Sequence, residues 1–392
     1  MNTNKISIVL LTASLVATAL ADPKSTALAD ASLRLEADRA MDRGLKFLAG
    51  EQMQNGSWRD TPGITAMVIM AHLNAPRELT ADEKVRVEKG FKFIVSCAKP
   101  TGAIFTDSYA SYNTSICLLA LVKANDMEKY GPTIKAARRF LLDLQLDEGE
   151  NVLPKGSFYG GIGYGSAGAG RPDVSNTHLA LEAIRFSEML DTEKGQPPQP
   201  GSKLHWDKAV KFLERSQNLP AKNGIGNDQS WAGNDGGFVY KPDESKASLE
   251  ESKKLQAGEN VPPGSLRSYP SMTYAGFKSY IYAELKKDDP RVQAAYGWIQ
   301  SNWDLEKNGS LGMQGYYYYL HTLAKALDAW GEETITDSSG KTHSWRRELA
   351  EKLLNLQRDG GFWVNDAGRW EESDKVLATA FSLLALQLAR GK

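Results

Sequence analysis

Apolar and polar positions along this chain follow one spacing that returns six times. The clearest copy reads Arg43-Gly44-x-x-Phe47-Leu48-x-x-x-Gln52-x-x-x-Gly56-Ser57-Trp58. Lys89, Gly90, Phe93, Ile94, Ala98, Gly102 and Ile104 keep its frame, as do Ala136, Ala137, Phe140, Leu141, Gln145 and Gly149. A fourth copy holds Lys208, Ala209, Phe212, Leu213 and Gln217. A weaker fifth holds Ala294, Ala295, Trp298 and Ile299 with Trp303 at the Gln place, and a sixth keeps Gln357, Gly361 and Trp363. Such spacing predicts a helix with a single apolar face, ended by a glycine that accepts a left-handed conformation.

A second, more apolar helix is expected after each turn, and its start also repeats. Thr65, Thr114, Thr177, Thr273, Thr322 and Thr379 each precede an apolar stretch. A threonine there can accept a hydrogen bond from an otherwise unpaired backbone N–H. Ala71, Ala120, Ala183, Ser279 and Ala385 follow six positions on, with Asp328 as the exception, and small residues there let neighbouring helices approach closely. Six helix pairs with facing apolar sides form either a solenoid or a closed double ring.

Polar, Gly- and Pro-rich insertions fall near residues 151–171, 191–203, 220–270 and 332–343. Segment 241–264, charged and poor in apolar residues, reads as a mobile surface loop.

The copy from Arg43 to Trp58 resembles the QW repeat of squalene and oxidosqualene cyclases, and related repeats occur in protein prenyltransferases. The likeness covers residues 40–390. It implies an all-α fold, an (α/α)6 toroid whose second helices form an inner ring around a cavity, with the Gln and Trp as structural ties. Under that fold the residues just before the recurring Thr face the cavity mouth: Ile64, Asn113, Asn176, Met272, His321 and Ala378. Asp173-Val174-Ser175-Asn176-Thr177 resembles the D-x-D-D-T motif with which squalene-hopene-type cyclases protonate a polyene. Asp173 and Thr177 match, whereas Ser175 and Asn176 replace two acids, and a serine hydroxyl is far too weak an acid to protonate an alkene. The proton-initiated cyclisation is therefore not carried over. Of the prenyltransferase zinc ligands only His321 survives, since Ser271, Met272 and Thr273 stand at the place of the Asp and Cys. One His makes no zinc site. His72, His178, His205 and His343 show no ligand spacing either, so neither metal nor cofactor is implied.

Two other features invite chemistry. Residues 156–165 are rich in Gly and aromatics, including Tyr164, but lack the flanking strand and helix of a phosphate loop. A flexible aromatic loop over the cavity fits them better. Tyr316 to Tyr319 either pack against a neighbouring pair or line the rim. Asn113, Tyr164, Asp173, Ser175, Asn176, His178, Ser271, Tyr318 and His321 are thus the candidate ligand contacts.

Composition narrows the partners little. The 392 residues are 41% hydrophobic and 24% charged, an ordinary globular balance, and the net charge of −1 offers no basic field for nucleic acid. Lys5, the apolar run 6–20 and the small-x-small end at Ala19 and Ala21 read as a signal peptide over residues 1–21. It is followed by a lead-in over 22–39 and one toroid domain over 40–390, exported to a periplasm or beyond and not an integral membrane protein. Cys97 and Cys117 are either two buried thiols or one bridge.

Three functions remain in view. One is a binding protein for a hydrophobic or amphipathic small molecule or lipid, isoprenoid among them. Another is an enzyme of different chemistry on the same ring, a divergent terpenoid cyclase or a carbohydrate-active one. The latter needs two facing carboxylates, with Asp107, Asp173, Asp235 and Asp366 as candidates. The last is a scaffold for an unidentified protein partner.

Overall fold

The computed structural model describes residues 23–165, 171–193 and 204–391, so the expected signal peptide and parts of two insertions lie outside the described residues. Helix burial follows the two patterns in the sequence. In α3 (Ala81–Ser96) the buried residues are Val87, Gly90, Phe91 and Ile94, one stripe at helical spacing. Thr80 and Glu83 close a reciprocal capping box at its start. In α4 (Ala110–Ala124), by contrast, nearly every residue from Ala110 to Leu121 is buried. A helix apolar on all sides must lie inside, and one with a single stripe must lie outside.

The other first helices are α1 (Pro23–Gly50), α5 (Met127–Leu142), α7 (Trp206–Arg215), α10 (Pro290–Ser301) and α12 (Trp345–Leu356). Their partners are α2 (Pro62–Leu73), α6 (Val174–Glu193), α9 (Pro270–Tyr282), α11 (Tyr316–Trp330) and α13 (Lys375–Arg390). Around the inside, α2 packs on α4, α4 on α6, α6 on α9, α9 on α11 and α11 on α13. Helix α13 then packs back on α2, and α1 meets α12, so both layers close. The fold is an (α/α)6 toroid, and the solenoid is excluded. The lead-in is helical from Pro23 and continuous with the rest of α1.

Four glutamines stitch successive outer helices together. Gln52 Nε2 donates to the carbonyls of Gly56 and Arg86, both at 2.9 Å. Gln217 reaches Gly236 and Arg291 (2.9 Å each), and Gln357 reaches Ala40 (2.9 Å) and Gly361 (3.0 Å). Gln145 bonds the carbonyls of Gly160 (3.2 Å) and His205 (3.0 Å). Trp58 and Trp363 each donate an indole N–H back to their own outer helix, at Leu48 and Leu353. Two junctions differ. Ala98 has no side chain to reach α5, and Trp303 bonds Glu348 of α12 at 3.2 Å instead.

Several expectations need correction. The turn glycine of the third unit is Gly160, not Gly149, because the insertion adds a short 3-10 turn, Glu148–Glu150, before it. Gly160 has φ +84°, and a Cβ there would sit 1.8 Å from the Lys208 carbonyl oxygen. The threonines do not cap helix ends. They sit within the first turns and accept from the incoming loop: Trp58 N to Thr65, Ile104 N to Thr114, Ile162 N to Thr177, Phe238 N to Thr273 and Trp363 N to Thr379 (2.8–3.0 Å). Thr322 does not belong to this set, since its hydroxyl donates to Tyr318 O inside α11. Tyr319 takes the place instead, three residues after the helix start as in α2, α6 and α9, with its hydroxyl bonded to Asp304 O.

Insertion 220–270 is folded rather than a bare loop. It carries α8 (Leu249–Gln256) and a small apolar cluster of Trp231, Val239, Val261 and Leu266. Ser245, Ser248 and Ser252 bind one another's backbone and fix the segment to Arg267. Within 332–343 the chain forms the hairpin β1 (Thr334–Thr336) and β2 (Thr342–Ser344), with Ile335 opposite His343. Cys97 and Cys117 are both buried free thiols. No helix among the described residues is long and apolar enough to cross a membrane.

Candidate functional site

The starts of the inner helices converge on one mouth of the ring, where a cavity of ≈ 420 Å³ opens. Two consecutive residues before the recurring Thr face it from each of four helices: Gly63 and Ile64, Tyr112 and Asn113, Ser175 and Asn176, Ser271 and Met272. Helix α11 supplies Tyr318, one residue before Tyr319, and α13 supplies Leu377. The insertions add Tyr164, Tyr240 and Tyr269 as walls, and the links into α4 and α13 add Tyr109 and Trp370. The surface is thus mainly aromatic and aliphatic with a few amides and hydroxyls and three charged residues, Lys246, Glu371 and Glu372, a make-up that suits a small-molecule site.

Of the candidate contacts, Asn113, Tyr164, Ser175, Asn176, Ser271 and Tyr318 line the cavity. Asp173, His178 and His321 do not, and all three are buried behind its wall. His321 misses because the fifth unit was aligned on Thr322 instead of Tyr319, and Ala378 misses because α13 presents Leu377. Only Tyr164 of run 156–165 reaches the cavity, and Tyr159 bonds Glu148 instead. Tyr316, Tyr317 and Tyr319 are core residues and Tyr318 is the rim residue, so both fates proposed for that run occur.

Asp173 sits at the start of α6 and accepts three hydrogen bonds. Asn176 N reaches Oδ1 at 2.8 Å, while Asn176 Nδ2 (3.0 Å) and the Tyr240 hydroxyl (2.8 Å) share Oδ2. Burial raises the Asp173 pKa, and the three donors act against that rise. Tyr164 OH lies 2.6 Å from Tyr240 OH, and burial beside Asp173 pushes the Tyr164 phenol up to about 12. Ser175 Oγ stands 3.2 Å from Tyr318 OH, which in turn is 2.7 Å from His178 Nε2. Burial drives both His178 and His321 well below the usual histidine range, so both are neutral.

Further along the inner helices a charged group links three of them. Glu182 on α6 pairs with Lys278 on α9 at 2.6 Å and with Lys325 on α11, Glu182 and Lys278 being wholly buried. The two ammonium groups hold the Glu182 carboxyl well below the carboxylate range, while burial and neighbouring Lys325 bring Lys278 down to about 8. A second buried acid, Glu372, accepts from the backbone N–H of Tyr317 and Tyr318 at the start of α11, and burial raises its pKa. Among the described residues no three His, Cys, Asp or Glu converge in a way that could hold a metal.

Sequence reading missed Tyr112, Tyr240, Tyr269, Trp370 and Glu372. Tyr112 had a signal, since the residue two before the recurring Thr faces the cavity as the one before it does. Tyr240 and Tyr269 come from the 220–270 insertion, and Trp370 and Glu372 from the link between α12 and α13, whose folding onto the ring no repeat encodes.

No family model and no curated protein matches the chain. Solved structures do. The type II terpene cyclase MstE from Scytonema, solved as a variant with its substrate geranylgeranyl dihydroxybenzoate, aligns at a TM-score of 0.53 and 12% identity, over 92% of this chain and 99% of that one. The GH76A alpha-1,6-mannanase from Salegentibacter sp. HEL1_6 aligns at 0.55 and 9%, over 91% and 98%. A family 76 glycoside hydrolase from a bovine Bacteroides thetaiotaomicron strain aligns at 0.53 and 11%, over 90% and 77%. At such identities the likeness is one of fold, and the chain shares its α/α toroid with terpene cyclases and family 76 glycosidases alike.

Proposed function

We propose that this chain is an exported protein of the squalene cyclase and prenyltransferase repeat family that holds a hydrophobic or amphipathic ligand, isoprenoid in class, without cyclising it by protonation. The observation that carries this reading is the cavity wall. Aromatic rings and aliphatic chains dominate it, and at the position where a cyclase of this family keeps its proton donor stands Ser175, hydrogen-bonded to Tyr318. Asp173 accepts three hydrogen bonds from Asn176 and Tyr240 and does not line the cavity. Family membership draws support from the glutamine and tryptophan bonds between and within helix pairs. Export draws support from the charged, apolar and small-residue sequence over residues 1–21.

Glycoside hydrolysis is the weaker reading. Asp107, Asp235 and Asp366 are exposed and none lines the cavity, and the two carboxylates that do, Glu371 and Glu372, are consecutive residues of one segment rather than a pair facing across a cleft. Purification from the native source under gentle conditions, then solvent extraction and mass spectrometry, tests the proposal. A stoichiometric apolar molecule is expected. Repeated recovery of empty protein, or of a retained sugar, would sink it.

A further inference from the structure

The hydrogen-bond chain beside the cavity has a fixed direction. An ionised carboxylate has no proton to give. As a carboxylate, Asp173 can only accept from the three groups it meets, a backbone N–H, an amide NH2 and the Tyr240 hydroxyl. The Tyr240 proton therefore points to Asp173, and the 2.6 Å contact between the phenols runs from Tyr164 to Tyr240. Tyr164 has then spent its only proton, and the oxygen at the cavity wall offers lone pairs alone.

Asn176 has the same polarity. Its Nδ2 donates to Asp173, which leaves Oδ1 as the free end of the amide. That oxygen is buried, has no partner, and belongs to a residue that lines the cavity and is only 1% exposed. A buried acceptor without a donor costs free energy that a ligand can recover. Lys246, which also lines the cavity, is paired with Glu244 and set 4.2 Å over the Tyr240 ring. Two carboxylates, Glu371 and Glu372, line it as well.

We infer that the polar end of the cavity selects a ligand whose head is a hydrogen-bond donor, an alcohol or an ammonium, and rejects a carboxylate or phosphate head. The inference rests on the cavity being a ligand site and names what that site recognises. An isoprenoid alcohol meets the condition. Its phosphate ester, ionised and rich in acceptors, would meet the Tyr164 and Asn176 oxygens with no proton between them.

The experiment is a calorimetric titration of the full chain near neutral pH. Its probes share one isoprenoid tail and end in a hydroxyl, an ammonium, a carboxylate or a phosphate. The alcohol and amine are expected to bind, with the anionic probes at least ~100-fold weaker, as for sites whose buried polar groups would be left unpaired. Equal or tighter binding of an anionic probe overturns the head-group inference and leaves the binding reading standing. Failure of all four removes both. Tyr164→Phe removes the terminal acceptor and leaves the Tyr240 bond to Asp173 in place. It should weaken the alcohol about fivefold while leaving the anionic probes unchanged, and an equal loss for every head would also contradict the inference.

Discussion

The outer seam of the ring and the rim of its cavity are built from the same six repeats, yet they have diverged in opposite ways. At the seam the parts recur. A glutamine bonds two carbonyls, a glycine turn presses on the next outer helix, and a threonine receives the incoming loop. At the rim only an asparagine appears twice, the equivalent residues being Ile64, Asn113, Asn176, Met272 and Tyr318. Regular backbone geometry demands the same partners at each junction, whereas a cavity that recognises one molecule needs a different group at each point. Repetition therefore marks stability here, and its loss marks specificity.

If that division is right, substitutions at the seam should cost stability and those at the rim should cost binding. Gly160→Ala should have the largest effect. The left-handed backbone and the collision with the Lys208 carbonyl together should destabilise by about 4 kcal/mol, read by denaturant unfolding. A loss under about 1 kcal/mol would show that the turn relaxes easily. Gln357→Ala leaves the carbonyls of Ala40 and Gly361 short of a donor at the junction that closes the ring. About 2 kcal/mol should be lost, with the ligand affinity of the surviving folded protein unchanged.

Acidification probes the layer below the rim. His72, His178 and His321 have folded pKa values lowered by burial, so their stabilisation is present above the unfolded value of 6.5 and is lost as pH falls below it. The slope is at most about 1.4 kcal/mol per pH unit for each histidine. Asp173 and Glu372, whose values are raised, act in the opposite sense at lower pH, because the folded state takes up their protons first. His321→Gln should remove roughly one histidine's share of the slope in chemical denaturation between about pH 7 and 5.5. A slope that stays the same would mean that His321 is protonated in the fold. The smallest stability change belongs to Ser175→Ala, expected within about 1 kcal/mol because its hydroxyl faces the cavity and Tyr318. Ligand affinity should change there by more than stability does.

Most of the ring was legible because its rules are local. Phe47, Gln52, Gly56 and Trp58 lie within a few turns of one another, and repetition multiplies a weak signal. Register failed where one repeat had drifted. Thr322 imitates the recurring threonine while Tyr319 does its work, which displaced the expected rim residue from Tyr318 to His321. Tyr318 still entered the candidates as part of the tyrosine run. Gly149 misled for a similar reason, since an insertion separates Gln145 from its true turn glycine. Tyr240 and Trp370 stayed hidden because their place depends on how an insertion and the link into α13 fold back, and Glu372 because it serves α11 from a distant segment. Asp173 and Asn176 were found, but their joint polarity appears only once Tyr240 is seen above them.

The central claim is that this toroid holds an apolar molecule with a donor head rather than a sugar. Parallel calorimetric titrations of the full chain, one with an isoprenoid alcohol and one with an α-1,6-linked manno-oligosaccharide, test it most directly. Saturable binding of the alcohol at about one per chain, with no heat from the oligosaccharide, is the expected result. Binding or cleavage of the oligosaccharide, with no response to the alcohol, would contradict it.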